Sequence, residues 1–224
     1  MAAKPVQPRF RATEQAVIAR LRTPSQVQRF LNDLPYNNEP PPGGETLRSF
    51  RGVVRHRTAH CLEAALAAAV ILEQHRYPPL VLSFESIDRL DHILFVYQHA
   101  GRWGSIGRSR DPGLHGRKPV FRTARDLAQS YVDTYIDDTG RITGYAVVDL
   151  RILGRYDWRL SEQNVWKVER MLLDHPHRSI RSSDARIDRL RRRYRAFRTQ
   201  FPDRKPLYYK GRDTWTAMPA EFRR

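Results

Sequence analysis

The chain has 224 residues, a formal charge of +16 from 40 Lys and Arg against 24 Asp and Glu, and one cysteine. A single cysteine excludes an internal disulfide and any Cys-rich zinc knuckle, and leaves one thiol available for chemistry. The charge is almost all arginine, since the lysines are only Lys4, Lys118, Lys167, Lys205 and Lys210. Spread along the whole chain, it fits either an arginine-rich composition or an acidic partner: nucleic acid, an acidic protein or an acidic substrate.

Met1 to Pro8 has no apolar signal core, and the longest apolar run, around Ala64 to Leu72, is far short of a membrane span. The expectation is a cytoplasmic protein with no membrane association. After a loose start, Thr13 to Leu21 reads as a helix. A second helix has Thr23 as cap, Pro24 in the first turn and Gln26 three residues after the cap, then Val27, Phe30, Leu31 and Leu34 at helical spacing. Pro35 to Gly44 is a Pro/Gly-rich linker. Residues 1–44 are therefore expected to be a helical extension, 45–160 the main core, and 161–224 a second helical extension packed on it.

The segment 45–58 is ambiguous, and a helix follows from about Ala59 to Gln74. Its run Cys61-Leu62-Glu63-Ala64-Ala65-Leu66-Ala67-Ala68-Ala69-Val70-Ile71-Leu72 is apolar on every side, which implies burial on most faces. Tyr77-Pro78-Pro79 ends it. Leu80 to Glu85, Ile93 to Tyr97 and Arg102 to Gly107 read as strands, the last two joined in an antiparallel hairpin at Ala100-Gly101. Asp111-Pro112-Gly113 is a turn, Thr123 to Asp133 a helix and Ile142 to Leu150 a strand. Ser161 is the expected cap of a helix carrying Val165, Trp166, Val168, Met171 and Leu172. Ser183 or Asp184 begins a last helix with an Ile187, Leu190, Tyr194, Phe197 stripe and arginines over the rest. Pro206 to Lys210 is a candidate strand. One helix before a run of antiparallel strands, with further helices outside, is an α+β arrangement.

The candidate chemistry lies at Cys61 and His92. At a helix N-terminus a thiol ionises more readily, and the unpaired N–H groups there can hold an oxyanion. His92, opening a strand, is the candidate general base and acid; the alternative is a Cys61 that is simply a small buried residue. His60, the sequence neighbour of Cys61, is expected to point elsewhere. An imidazole in this role needs a third group to orient it. Pairing across the Ala100-Gly101 turn sets Ser105 opposite Val96 and Ser109 opposite His92, and Asp111 lies near the same edge with a charge to offer. Asp111 is preferred as orienter and Ser109 is second, with Asp91 expected on the opposite face.

The combination Cys61-Leu62-Glu63-Ala64, Asp91-His92-Ile93-Leu94 and Gly101-Arg102-Trp103-Gly104-Ser105-Ile106 resembles the transglutaminase-like superfamily of papain-type folds. It is most similar to a little-characterised bacterial branch, with Arg122-Thr123-Ala124-Arg125-Asp126-Leu127-Ala128-Gln129-Ser130-Tyr131 matching a helix motif found there; the likeness spans roughly residues 50 to 135. It implies a central buried helix packed on an antiparallel sheet and a Cys-His-Asp triad in chain order. It also implies acyl transfer on an amide of a peptide or small molecule, through a thioester released to water or an amine. The usual acid position falls here on Gly107, so Asp111 fits the pattern only if the strand runs on or bulges.

No cofactor or metal is implied. His60, His99, His115, His175 and His177 match no zinc spacing and are expected in surface loops, and no calcium-loop pattern occurs. The clustered glycines from Gly101 to Gly116 lack a phosphate-loop context and point to turns or close backbone approach, and Trp103 is a candidate cleft wall or core residue. The arginine helix, residues 186 to 198, is either a solvated face or a surface for nucleic acid or an acidic protein. A non-catalytic basic interaction module on the same fold is the rival reading.

Overall fold

The computed structural model describes residues 9–39, 42–88 and 92–222. Its strands are β1 (Leu80–Ser86), β2 (Ile93–His99), β3 (Arg102–Ile106), β4 (Arg117–Phe121), β5 (Ile142–Asp149) and the short β6 (Arg178–Ser179). They pair antiparallel throughout, in the order β4-β3-β2-β1-β5-β6. The helices are α1 (Ala12–Arg20), α2 (Pro24–Asn32), α3 (Phe50–His56), α4 (Cys61–Glu73), α5 (Ala124–Val132), α6 (Trp166–Asp174) and α7 (Asp184–Gln200). The expected α+β class with a buried central helix on an antiparallel sheet is the observed one.

Every residue of α4 from Leu62 to Leu72 is buried. Its alanines let the sheet and the N-terminal helices approach the helix axis closely, while Leu66, Val70, Ile71 and Leu72 fill the space between. Such side chains contribute roughly 1.5–3 kcal/mol each on full burial. The core on this face joins α4 to Val81, Ile93, Phe95, Val148 and to Ile18, Val27, Leu31 and Phe50, so the N-terminal helices share it. The opposite face packs Leu82, Phe84, Leu94 and Val96 against Leu127, Ala128 and Tyr131 of α5. Period-two alternation thus sends successive residues of β2 into two different cores, which is why Ile93 to Tyr97 reads as an unbroken apolar run.

The β2–β3 hairpin has the expected register, with Val96 opposite Ser105. Ala100 and Gly101 both take positive φ, 49° and 72°, as a two-residue turn of this hand requires. The ladder stops at Phe95–Ile106, so Ser109 does not pair across from His92. Beyond Ile106 the Gln28 side chain takes over from a strand: Gly107 N–H donates to its Oε1 at 3.0 Å, and its Nε2 donates to Gly107 O at 2.9 Å.

Several local expectations are corrected. Ser161 caps no helix, since its hydroxyl exchanges bonds with the Gln163 backbone, and α6 begins after Val165 without a side-chain cap. Residues 206–210 form no strand, whereas β4, β6 and α3 do form although the sequence offered no firm sign of them. Among the described residues no helix is long and apolar enough to cross a membrane.

Candidate active site

Cys61 is the first residue of α4, and His60 is its N-cap. The Leu62 N–H lies 3.2 Å from His60 Nδ1, and Glu63 closes the box by accepting the His60 N–H at 3.1 Å. Glu63 is fully buried and collects further donors from the surrounding loops: Arg48 N–H at 2.9 Å, Thr46 Oγ1 at 3.1 Å and Asn37 Nδ2 at 3.1 Å. A buried carboxylate is tolerated only with such a full set of partners. It ties two approach segments, at residue 37 and at residues 46–48, to the first turn that carries the nucleophile candidate. A short parallel bridge between Tyr36 and Ala59 then sets Tyr36 beside Cys61.

Two imidazoles act on the sulfur. Burial alone pushes the Cys61 thiol up, but hydrogen bonding from His60 and His92, with their charges, holds it well below the ordinary thiol range. Burial likewise works against charge on His60, yet the Cys61 sulfur, Glu63 and the Thr46 carbonyl together push its pKa up to about 9. His60 Nε2 donates to Thr46 O at 2.9 Å, which leaves Nδ1 for the sulfur. When protonated, that nitrogen donates to the thiolate; when neutral, it accepts from the Leu62 N–H. The expectation that His60 points away is therefore corrected. A capping histidine immediately before a helix-opening cysteine, with glutamate three residues on, is the sequence pattern that marks it.

His92 is buried, and its Nε2 donates to the Leu114 carbonyl at 2.8 Å. That bond leaves Nδ1 for Cys61. The orienting group is a main-chain carbonyl, and not Asp111 or Ser109 as expected. The Asp111 carboxylate pairs with Lys205 at 2.8 Å, and the Ser109 hydroxyl accepts the Asp111 N–H at 3.1 Å. Both side chains line the same cavity as Cys61 and His92 without holding the ring. At Gly107, where the resemblance sets the acid, a Cβ would sit 2.1 Å from Leu94 Cδ2, so any side chain there requires Leu94 to move. Asp91 lies outside the described residues.

The loop presenting Leu114 is held from beneath by Arg117, which is wholly buried. Its guanidinium donates to Gly113 O at 2.6 Å and His115 O at 2.8 Å, bracketing Leu114, and lies 4.0 Å over the Tyr131 ring. Tyr131 also donates to His115 O at 2.9 Å. Another brace is His115, which donates to Ser109 O at 3.0 Å; burial first, then Arg108, brings its pKa down to about 3, so it stays neutral. His115 is thus buried instead of lying in a surface loop.

Cys61 lies where two cavities meet. One, of about 360 Å³, is lined by His92, Asp111, Leu114, Tyr194, Lys205 and Tyr209. The other, of about 410 Å³, is lined by His60, Glu39, Glu45, Trp166 and Glu169. Tyr36 and Arg110 border both. Residues 194–209 therefore wall the site as well as decorating the core.

Neither a family model nor a curated protein sequence matches the chain. Among solved structures it is similar to Legionella pneumophila LapG, at 11% identity and a TM-score of 0.37 over 64% of this chain and 82% of that one.

The remaining candidates fall away from the site. Trp103 packs on the α5 face of the sheet, a core role. Among the described residues no group of three His, Cys, Asp or Glu side chains is placed to hold a metal. Many arginines of α7 are occupied within the chain: Arg186 pairs with Asp133, and Arg195 with Asp138 at 2.8 Å. Arg191 donates to Thr139 O at 2.8 Å, and Arg193 stacks 4.0 Å over Tyr208. They pin a helix whose one buried side chain is Ile187.

Proposed function

We propose that this chain is a cysteine-dependent acyl-transfer enzyme of transglutaminase-like type, acting on an amide bond in a peptide. The observation that carries this reading is the pair of imidazoles flanking one sulfur at a helix N-terminus, where two cavities meet. A buried structural cysteine needs no such company. The Cys61 thiolate attacks the carbonyl carbon, a C–S bond forms, and the carbonyl π pair moves onto oxygen. On collapse the C–N bond breaks, and His92 Nδ1 gives its proton to the departing amine. Water or a second amine, deprotonated by the same nitrogen, then releases the acyl group from sulfur. The Leu114 carbonyl keeps the Nε2–H tautomer and the ring plane throughout.

Cavities on both sides of the sulfur favour a chain running across it over a compact amide. The His60 side carries Glu39, Glu45 and Glu169 against Arg110 and His60. It therefore favours a basic residue, despite the chain's overall positive charge. The test is mass spectrometry of the intact protein after exposure to a panel of peptide esters and amides, with Cys61→Ala as control. A covalent acyl adduct on the wild type alone supports the reading; no adduct with any ester overturns it.

A further inference from the structure

An oxyanion site built on the Cys61 N–H alone is a weak one, and the neighbouring Leu62 N–H faces the His60 ring, 3.2 Å from Nδ1. A second donor is needed, and one side chain stands in the right place. The backbone of Tyr36 is fixed beside the start of α4 by Asn37 N–H donating to Ala59 O at 3.2 Å and Ala59 N–H donating to Pro35 O at 3.3 Å. Its ring is half-buried between the guanidinium groups of Arg108 and Arg110, 5.8 and 5.9 Å from the ring centre. It borders both cavities that meet at the sulfur. Its hydroxyl lies close enough to the Cys61 backbone for that group to favour the charged phenol, against burial, which opposes it. In the free protein the phenol oxygen and the Cys61 amide thus face one another at the mouth of the helix.

We propose that Tyr36 is a catalytic residue, its hydroxyl donating together with the Cys61 N–H to the substrate oxygen that becomes negative when the thiolate attacks. This rests on the acyl-transfer reading. A carbonyl oxygen entering between the amide and the phenol accepts from both. The C–S bond forms, the π pair becomes the oxyanion, and the phenol keeps its proton while donating. Burial, and then the charge of Cys61, raise the phenol pKa, so it remains a protonated donor at neutral pH beside the thiolate. On collapse the lone pair returns, the C–N bond breaks, and the phenol turns back to the amide.

The test uses the full chain and compares two reactions at the same sulfur. Acylation by a p-nitrophenyl ester passes through an oxyanion, whereas alkylation by iodoacetamide displaces iodide and does not. Tyr36→Phe should slow acylation by roughly 10²–10³-fold, the loss typical of one oxyanion donor, with alkylation within about twofold of wild type. Because Phe keeps the ring between the two arginines, the alkylation rate also reports that the site is intact. Equal acylation rates in the two proteins overturn the assignment of Tyr36 alone. A parallel fall in both rates overturns it too, showing that the hydroxyl supports the sulfur or the site as a whole and not the oxyanion. A wild-type protein that is alkylated but never acylated overturns the acyl-transfer reading, and the assignment with it.

Discussion

His92 Nε2 is bound to the carbonyl of Leu114, 2.8 Å away, while the nearest expected acid, Asp111, is engaged by Lys205. A peptide carbonyl fixes the tautomer and the ring plane but brings a dipole where a triad carboxylate brings a full charge. The positive charge that stabilises the thiolate is correspondingly shared with a second imidazole, His60.

Asp111→Asn should therefore leave kcat within about threefold of wild type, whereas exchanging a true orienting carboxylate costs on the order of 10⁴-fold. Its stability cost should stay under about 1 kcal/mol, since both members of the Asp111–Lys205 pair are half exposed. Ester turnover and thermal melting of the variant check both statements. A collapse of kcat would put the carboxylate back on the imidazole.

Thiolate reactivity should persist through neutral pH. With the Cys61 pKa depressed by His60 and His92, the rate of iodoacetamide alkylation should hold up well below the ordinary thiol range and fall only on the acid side. The sign follows from the ionisation: a lowered pKa keeps sulfur negative to lower pH, and protonation through that pKa removes the nucleophile. His60→Ala removes one of the two supports and should move this acid limb upward. A limb in wild type at the ordinary thiol pKa, near 8.5, would refute the arrangement.

Glu63→Ala should be among the most destabilising single changes near the site. It leaves the amides of His60 and Arg48 and the side chains of Thr46 and Asn37 without their shared acceptor. A loss of about 3 kcal/mol is expected for orphaning buried donors on this scale, which corresponds to roughly 6–12 °C in Tm for a chain of this size. Calorimetry measures it directly. A drop under about 1 kcal/mol would mean the loops find other partners.

Substrate charge should matter on the His60 side. Burial raises the Glu169 pKa, His60 opposes, and the neighbouring Glu45, Cys61 and Glu39 charges add to the rise, so this cavity already carries mutually repelling groups. Changing the peptide residue lodged there from Lys to Glu should lower kcat/KM by roughly tenfold at low salt and less at high salt. Glu169→Gln combined with Glu45→Gln should narrow the gap. Indifference to peptide charge in the wild type would remove the acidic cavity from the recognition of substrate.

The Thr23 cap of α2, the apolar run and the lone thiol were open to reading from residue types because each depends on neighbours close in the chain. The alternation of β2 and its turn at Ala100-Gly101 were legible for the same reason. The orienting group was not, since a backbone carbonyl exists at every position and no residue name distinguishes Leu114. Nor was the role of Gln28, whose amide substitutes for a strand across a separation of 79 residues. His60 was misjudged because adjacent side chains diverge in a strand, whereas at an N-cap the side chain folds back over the first helical turn.

Residue types and their spacing determined that this chain would bury an alanine-rich helix headed by its one sulfur, beside an antiparallel hairpin opened by a histidine. Only tertiary packing decided what surrounds that sulfur. Leu94 occupies the space a Gly107 side chain would need, Arg117 braces the loop that offers Leu114 O, and the segment around Lys205 closes one cavity wall. Local pattern selects elements through short-range sterics and hydrogen bonds, but the field at a reactive atom is the sum over every group folded around it.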